Sequence, residues 1–175
     1  MSIDLPSLPV EIEYRALSSD DIEELAQISE CVPFGGSWTR EKLTTELADA
    51  QGLGIVIKGR QKEGQTAGPP NFEGGPGQLG AFVLYRRLGE VLEISWLATA
   101  VVWQKQGLMS CLLRQLAGAS KAPGGPVEIW LEVHEKNLGA RNLYEKLGFR
   151  VTSRRPNYYP DGGAAILLSW KLSST

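Results

Sequence analysis

Histidine occurs once in these 175 residues, at His134, and cysteine only twice, at Cys31 and Cys111. Two cysteines build no disulfide framework and suit a reducing compartment; no metal is expected. Charge of one sign is not in excess either: 18 Lys and Arg stand against 20 Asp and Glu, a formal net charge of −2. That balance leaves no electrostatic footprint for nucleic acid or for an anionic membrane surface. Apolar runs long enough to span a bilayer are missing. Residues 1–15 have neither the basic start nor the apolar centre of a secretory signal, so a cytoplasmic protein is expected. The length suits a single domain, 1–175, able to bury roughly 70% of the unfolded chain's surface.

What is present in strength is hydrophobic periodicity, clearest from Glu128 to Phe149. Ile129, Leu131 and Val133 alternate with Glu128, Trp130, Glu132 and His134, the period of two of a strand. Asn137 follows as a helix N-cap, its side-chain oxygen able to accept from a free backbone N–H one turn in. Ala140, Leu143, Tyr144 and Leu147 then share one stripe at helical spacing. Gly148 supplies the left-handed residue that closes such a helix. A strand carrying Glu132 and a helix carrying Tyr144 inward bring a carboxylate and a phenol toward one cleft. Such a base–acid pair suits acyl transfer to an amine.

Earlier in the chain, Val10 to Leu17 alternates as a first strand. Ser18 or Ser19 caps a helix with Ile22, Leu25, Ala26, Ile28 and Val32 on its stripe and acids in its first turn. Pro33 to Ser37 ends it, and Thr39 caps a second helix with Trp38 and Leu43 at the positions of a hydrophobic staple. Leu53 to Lys58 and Leu79 to Arg86 are strand-like runs. Between them Gly59 to Gln78 is rich in Gly, Pro and Gln, lacks periodicity, and is expected to be a long mobile hairpin loop. It is either a solvated insertion or, through Phe72, a docking arm. Val91 to Thr99 is apolar nearly throughout, as for a strand covered on both faces. The run Gln104-Lys105-Gln106-Gly107-Leu108-Met109-Ser110 opens a helix buried through Leu108, Leu112, Leu113 and Leu116. Free N–H groups at that start, beside a glycine that permits close approach, form an anion site able to cradle a pyrophosphate. An ordinary helix start is the alternative. Tyr158 and Tyr159 precede the turn Pro160 to Gly163 and a last strand, Ala164 to Leu172.

Taken together, Leu131-Glu132-Val133, Asn137, Ala140 and Leu143-Tyr144-Glu145-Lys146-Leu147-Gly148-Phe149 resemble the GCN5-related N-acetyltransferases, the GNATs. More narrowly they resemble the RimI-type enzymes that acetylate the N-terminal alanine of a small-subunit ribosomal protein. The likeness extends through Arg154-Arg155, Asn157-Tyr158-Tyr159-Pro160 and the final strand, and upstream through Leu97-Ala98 and Gln104 to Leu108. It implies an α/β GNAT fold: a mixed, mostly antiparallel sheet splayed between its central parallel strands, with helices on both faces. It also implies acetyl-CoA as co-substrate. The diphosphate would lie on Gln104, Lys105, Gln106, Gly107, Leu108, Met109 and Ser110, and the pantetheine arm against Asn137. Backbone N–H groups of Leu97, Ala98 and Thr99 would face the reacting carbonyl. The loop usually reads Gln/Arg-x-x-Gly-x-Gly/Ala, so Met109 stands where a small residue is expected and would crowd the phosphates if it pointed inward. Ala100-Val101-Val102-Trp103 replaces a more polar Asp-Pro stretch.

By the same resemblance Glu132 is the base that takes the amine proton and Tyr144 the acid that returns one to the CoA thiolate. Their structural alternatives are a carboxylate paired with a nearby cation and an amphipathic core tyrosine. Trp38, Tyr158 and Tyr159 are implied on the peptide side, with packing over the last hairpin the alternative for the two tyrosines, and Phe34-Gly35-Gly36-Ser37-Trp38-Thr39 there is either a flexible turn or a gate. His134 faces the same way as Glu132 and is either a base or relay, or a polar residue at a strand edge. The expected function is Nα-acetylation of a protein N-terminus, a ribosomal one foremost. Acetylation of lysine side chains or small amines, and a catalytically silent acyl-CoA-binding module, are the alternatives. No nucleic-acid or membrane partner is expected, and the sequence does not set an oligomeric state.

Overall fold

The computed structural model describes residues 11–34, 38–58, 77–120 and 125–172. Seven strands form one sheet: β1 (Ile12–Ala16), β2 (Gln51–Ile57), β3 (Leu79–Leu88), β4 (Val91–Thr99), β5 (Glu128–His134), β6 (Arg150–Arg155) and β7 (Ala165–Lys171). Their order is β1-β2-β3-β4-β5-β7-β6. Every neighbouring pair is antiparallel except β4 and β5, which run parallel from Val91↔Glu128 only as far as Ile94↔Leu131. Beyond that point the two central strands part, the splay the resemblance implied. Val10, read as the start of the first strand, lies outside the described residues, as do residues 35–37 and 59–76 of the two predicted loops. The ends of the longer one meet: Gly77 N–H donates to the Ile57 carbonyl and Ile57 N–H to that of Gln78, both at 2.9 Å.

Alternation along the strands sends side chains to two cores. Ile55, Ile57, Ala81 and Val83 lie on one face, against α3 (Leu108–Ala119) and α4 (Leu138–Leu147). Val56, Phe82, Leu84 and Ala98 lie on the other, against α1 (Ile22–Glu30) and α2 (Arg40–Asp49). Leu25, Leu43, Leu112 and Leu113 are fully buried, and each such side chain contributes about 1.5–3 kcal/mol. The predicted caps form. Ser18 opens a short 3-10 turn leading into α1 through a capping box with Asp21, and Arg15 clamps that carboxylate. Thr39 accepts from Lys42 N–H, and Asn137 from Ala140 N–H at 3.2 Å. Gly148 closes α4 at φ +108°. Gly80 lets the start of α3 approach the sheet, because a Cβ there would meet Leu108 Cδ2 at 2.6 Å and Ile57 Cδ1 at 2.8 Å.

Candidate active site

Past Ile94 the edge of β4 that faces β5 has no ladder partner, and a cleft of about 390 Å³ opens there. Ser95 to Thr99 form one side, and Glu132, Val133 and His134 of β5 the other. The start of α3 lies at one end, and Asn137, Ala140, Leu143 and Tyr144 bring α4 to the same space. Of the residues predicted to act, Glu132, Tyr144, Leu97, Ala98, Thr99, Gln104, Lys105, Gly107, Leu108, Met109, Ser110, Asn137 and Tyr159 all line the cleft. Trp38, Gln106 and Tyr158 do not.

The start of α3 has the chemistry of an anion cradle. Its first intrahelical bond is Cys111 N–H to the Gly107 carbonyl at 3.0 Å, and no side chain caps the helix. The N–H groups of Leu108, Met109 and Ser110 therefore have no helix acceptor. Gly107 at φ +91° and Lys105 at φ +60° wind the backbone that precedes them into a tight turn. Gln104 and Gln106 brace that turn with their side chains, donating to the carbonyls of Thr99 at 3.3 Å and Val102 at 2.8 Å. Met109, the bulky departure from the family loop, is 7% exposed and belongs to the main core. The backbone donors, their glycine and the partly apolar cleft beside them fit a diphosphate with a pantetheine arm.

Tyr144 is 3% exposed, and among the described residues its hydroxyl has no hydrogen-bond partner. Its ring packs on Phe149 at 5.6 Å. Burial pushes the phenol far above its usual range, and the neighbouring Tyr159 adds to the shift. The proton therefore stays on Oη throughout ordinary pH. Glu132 is less solitary than the sequence suggested. Arg155 Nη1 donates to its Oε1 at 2.5 Å, with the two side chains 54% and 30% exposed. The Tyr158 hydroxyl is raised first by its hydrogen bond to the same carboxylate. The alternative of a paired carboxylate thus holds in part, since Glu132 is at once ion-paired and on the cleft wall. Arg155 comes within reach because β7 lies between β5 and β6. Glu132 pairs with Leu167 and His134 with Ala165, and Ala165 pairs in turn with Arg155.

His134 is buried at 3% exposure. Its Nδ1 accepts the Lys136 N–H at 3.0 Å, and its Nε2 lies 3.1 and 3.2 Å from the two oxygens of Asp161. Hydrogen bonds from His134 and from Gly163 N–H hold the Asp161 carboxyl down to about 2. With both ring nitrogens occupied, this histidine has no free site for a substrate proton, which tells against the base-or-relay alternative. Trp38 also departs from expectation. Its ring stacks on Trp96 at 5.0 Å and 22° in the second core, under Lys42. Burial against another indole draws it behind the wall, while Trp96 and Phe34 face the cleft.

Comparison with known proteins agrees with this geometry. The acetyltransferase (GNAT) family model matches residues 29–149. The [ribosomal protein bS18]-alanine N-acetyltransferase of Escherichia coli (strain K12) is 34% identical over 100 residues, 55% of this chain and 67% of that protein. An N-alpha-acetyltransferase of Sulfurisphaera tokodaii is 32% identical over 100 residues, covering 57% of this chain and 58% of that one. The crystal structure of the ribosomal-protein-S18-alanine N-acetyltransferase from Escherichia coli covers 94% of this chain and 96% of its own. Its TM-score is 0.72 at 23% identity, a likeness of fold.

Proposed function

The chain belongs to the GNAT acetyltransferase family, and from that premise we propose that it acetylates the α-amine of a protein N-terminus. Its proposed substrate is the N-terminal alanine of a small-subunit ribosomal protein, a reading supported by the likeness to the E. coli [ribosomal protein bS18]-alanine N-acetyltransferase. The observation that carries this reading is a convergence on one cleft: an uncapped helix start, the open edge of β4, a carboxylate and a protonated phenol. Residues 1–175 are read as one acetyltransferase unit acting in the cytoplasm.

Acetyl-CoA, when bound, supplies the acyl group as a thioester activated toward amines. The N–H groups of Leu108, Met109 and Ser110 would hold its diphosphate, and Asn137 its pantetheine arm. The open edge at Leu97 and Thr99 turns backbone donors toward the place where negative charge develops on the acyl oxygen. A protein α-amine has a pKa of about 8, so part of it arrives as ammonium and has to lose a proton. Glu132 accepts that proton. A carboxylate has roughly four acceptor positions, so the Arg155 contact at Oε1 leaves others for the amine or a bridging water. Tyr144 keeps its proton on Oη until the leaving thiolate needs it.

Incubation with acetyl-CoA and two peptides, one with a free N-terminus and one blocked, followed by mass spectrometry, tests the reading. A gain of one acetyl on the free N-terminus alone supports it. Acetyl on an internal lysine of the blocked peptide, or no transfer to any amine, contradicts it.

A further inference from the structure

The chain's only imidazole is buried at the mouth of the cleft with every hydrogen-bonding atom engaged. Because Nδ1 accepts from Lys136 N–H, the ring N–H that donates is the one on Nε2, aimed at Asp161. Asp161 belongs to the loop between β6 and β7, and its Oδ1 also accepts the Gly163 N–H at 2.9 Å. The Gly163 carbonyl in turn accepts the N–H groups of both Tyr158 and Tyr159 at 3.0 Å, and Gly162 N–H donates to the Tyr159 carbonyl at 2.9 Å. The loop is one hydrogen-bonded knot, and the His134–Asp161 contact fastens it to β5. Lys136 Nζ stands 3.5 Å from the other Asp161 oxygen.

The faces of the ring are used as well. Phe34 lies on the imidazole with centroids 5.0 Å apart and Tyr159 with centroids 4.6 Å apart. Both line the cleft beside Glu132, and Phe34 is 43% exposed. We propose that His134, fastened by Asp161, is a positioning residue for the peptide substrate: it holds Tyr159 and Phe34 as an aromatic wall at the mouth of the cleft. The proposal rests on the N-terminal acetyltransferase reading. It gives His134 no proton to carry and assigns it instead the placement of two rings against which the first residues of a peptide lie.

Two readouts test it. Because the histidine is unique, long-range 1H–15N NMR of the intact protein at neutral pH reports one imidazole. The proposal expects Nε2 protonated and Nδ1 bare; the opposite tautomer, or the averaged signals of a free imidazole, would overturn it. Steady-state kinetics on an N-terminal peptide form the second. Asp161→Ala and His134→Gln should each raise the peptide KM about tenfold through the lost charged hydrogen bond. They should leave kcat within about twofold and the KM for acetyl-CoA unmoved. Asp161→Asn, which retains an oxygen acceptor for both N–H donors, should return the peptide KM toward wild type. An unchanged peptide KM in Asp161→Ala refutes the proposal. So does a fall in kcat at constant KM, which would put His134 in proton transfer, or an equal rise in both KM values, which is general loosening. A wild-type protein that acetylates no free N-terminus defeats the functional reading itself, and that failure shows before any variant is made.

Discussion

Replacing Gly163 by alanine would place a methyl carbon 2.2 Å from His134 Nε2, 2.5 Å from its Cε1 and 2.9 Å from Asp161 Oδ1, where ordinary contact begins at 3.4 Å. The conflict is steric, and the imidazole has little room to retreat. Phe34 and Tyr159 cover its faces, Lys136 and Asp161 hold its edges, and it is 3% exposed. Overpacking of this kind costs about 1–3 kcal/mol. In a chain of this size each kcal/mol moves Tm by about 2–4 °C, so Gly163→Ala should lower Tm by roughly 2–12 °C by scanning calorimetry. A second arm isolates the cause. With His134→Ala already made, the two closest contacts are gone and only that with Asp161 Oδ1 remains, so adding Gly163→Ala should cost less by about 1–2 kcal/mol than it does alone. A Tm shift under about one degree, or two losses that simply add, would refute the close approach of loop and strand.

Three further outcomes follow from the same structure. Acetyl-CoA at about 100 times its Kd should stabilise the fold by about 2.7 kcal/mol; an unmoved Tm would contradict the cradle at the start of α3. Met109→Ala should cost about 2–5 kcal/mol as a core truncation without tightening acetyl-CoA, and a gain in affinity would show that the side chain crowds the phosphates. The Asp161 carboxyl is depressed from 3.8 to about 2, so its contribution is fully present above pH 3.8 and fades as pH falls through about 2. NMR titration of that carboxyl should give a midpoint near 2 that returns toward 3.8 in His134→Gln; a wild-type midpoint near 4 contradicts the contact.

Much of the fold was legible where period and cap agreed. Glu128–His134 and Val91–Thr99 came out with the boundaries observed, as did the helix from Asn137 to Gly148, because alternation and stripe are set within a few residues. The capping residues Thr39 and Asn137 and the closing Gly148 declared themselves by chemistry that is local. The residues that converge on the cleft were legible through the family pattern, since Glu132 and Tyr144 stand in one short segment.

What stayed hidden depends on register between distant strands. Arg155 reaches Glu132 only because β7 is inserted between β5 and β6, and no spacing in the sequence announces that order. Asp161 sits in a turn whose residue types speak for a turn, and its contact with His134 across 27 positions has no local signature. The position of the Trp38 ring and the direction of the Met109 side chain were hidden for a related reason. Position on a helix gives the neighbourhood, but which core receives a large side chain is decided by packing against Trp96 in one case and within the main core in the other. The glycines at 80 and 163 carry the same lesson, because what crowds them is visible only in three dimensions.

The central claim is that Glu132 takes the amine proton while Tyr144 holds the one given to the leaving thiolate. The measurement that bears on it most directly is kcat for peptide acetylation against pH, at saturating peptide, for wild type, Glu132→Gln and Tyr144→Phe. Each substitution should lower kcat by about 10²–10⁴-fold at neutral pH. Above about pH 8 the amine sheds its proton unaided, so Glu132→Gln should recover part of its loss while Tyr144→Phe should not. Wild type should stay active past pH 10, because burial keeps the Tyr144 proton in place. A Tyr144→Phe variant near wild type, or a Glu132→Gln loss that is equally deep at every pH, would contradict the assignment.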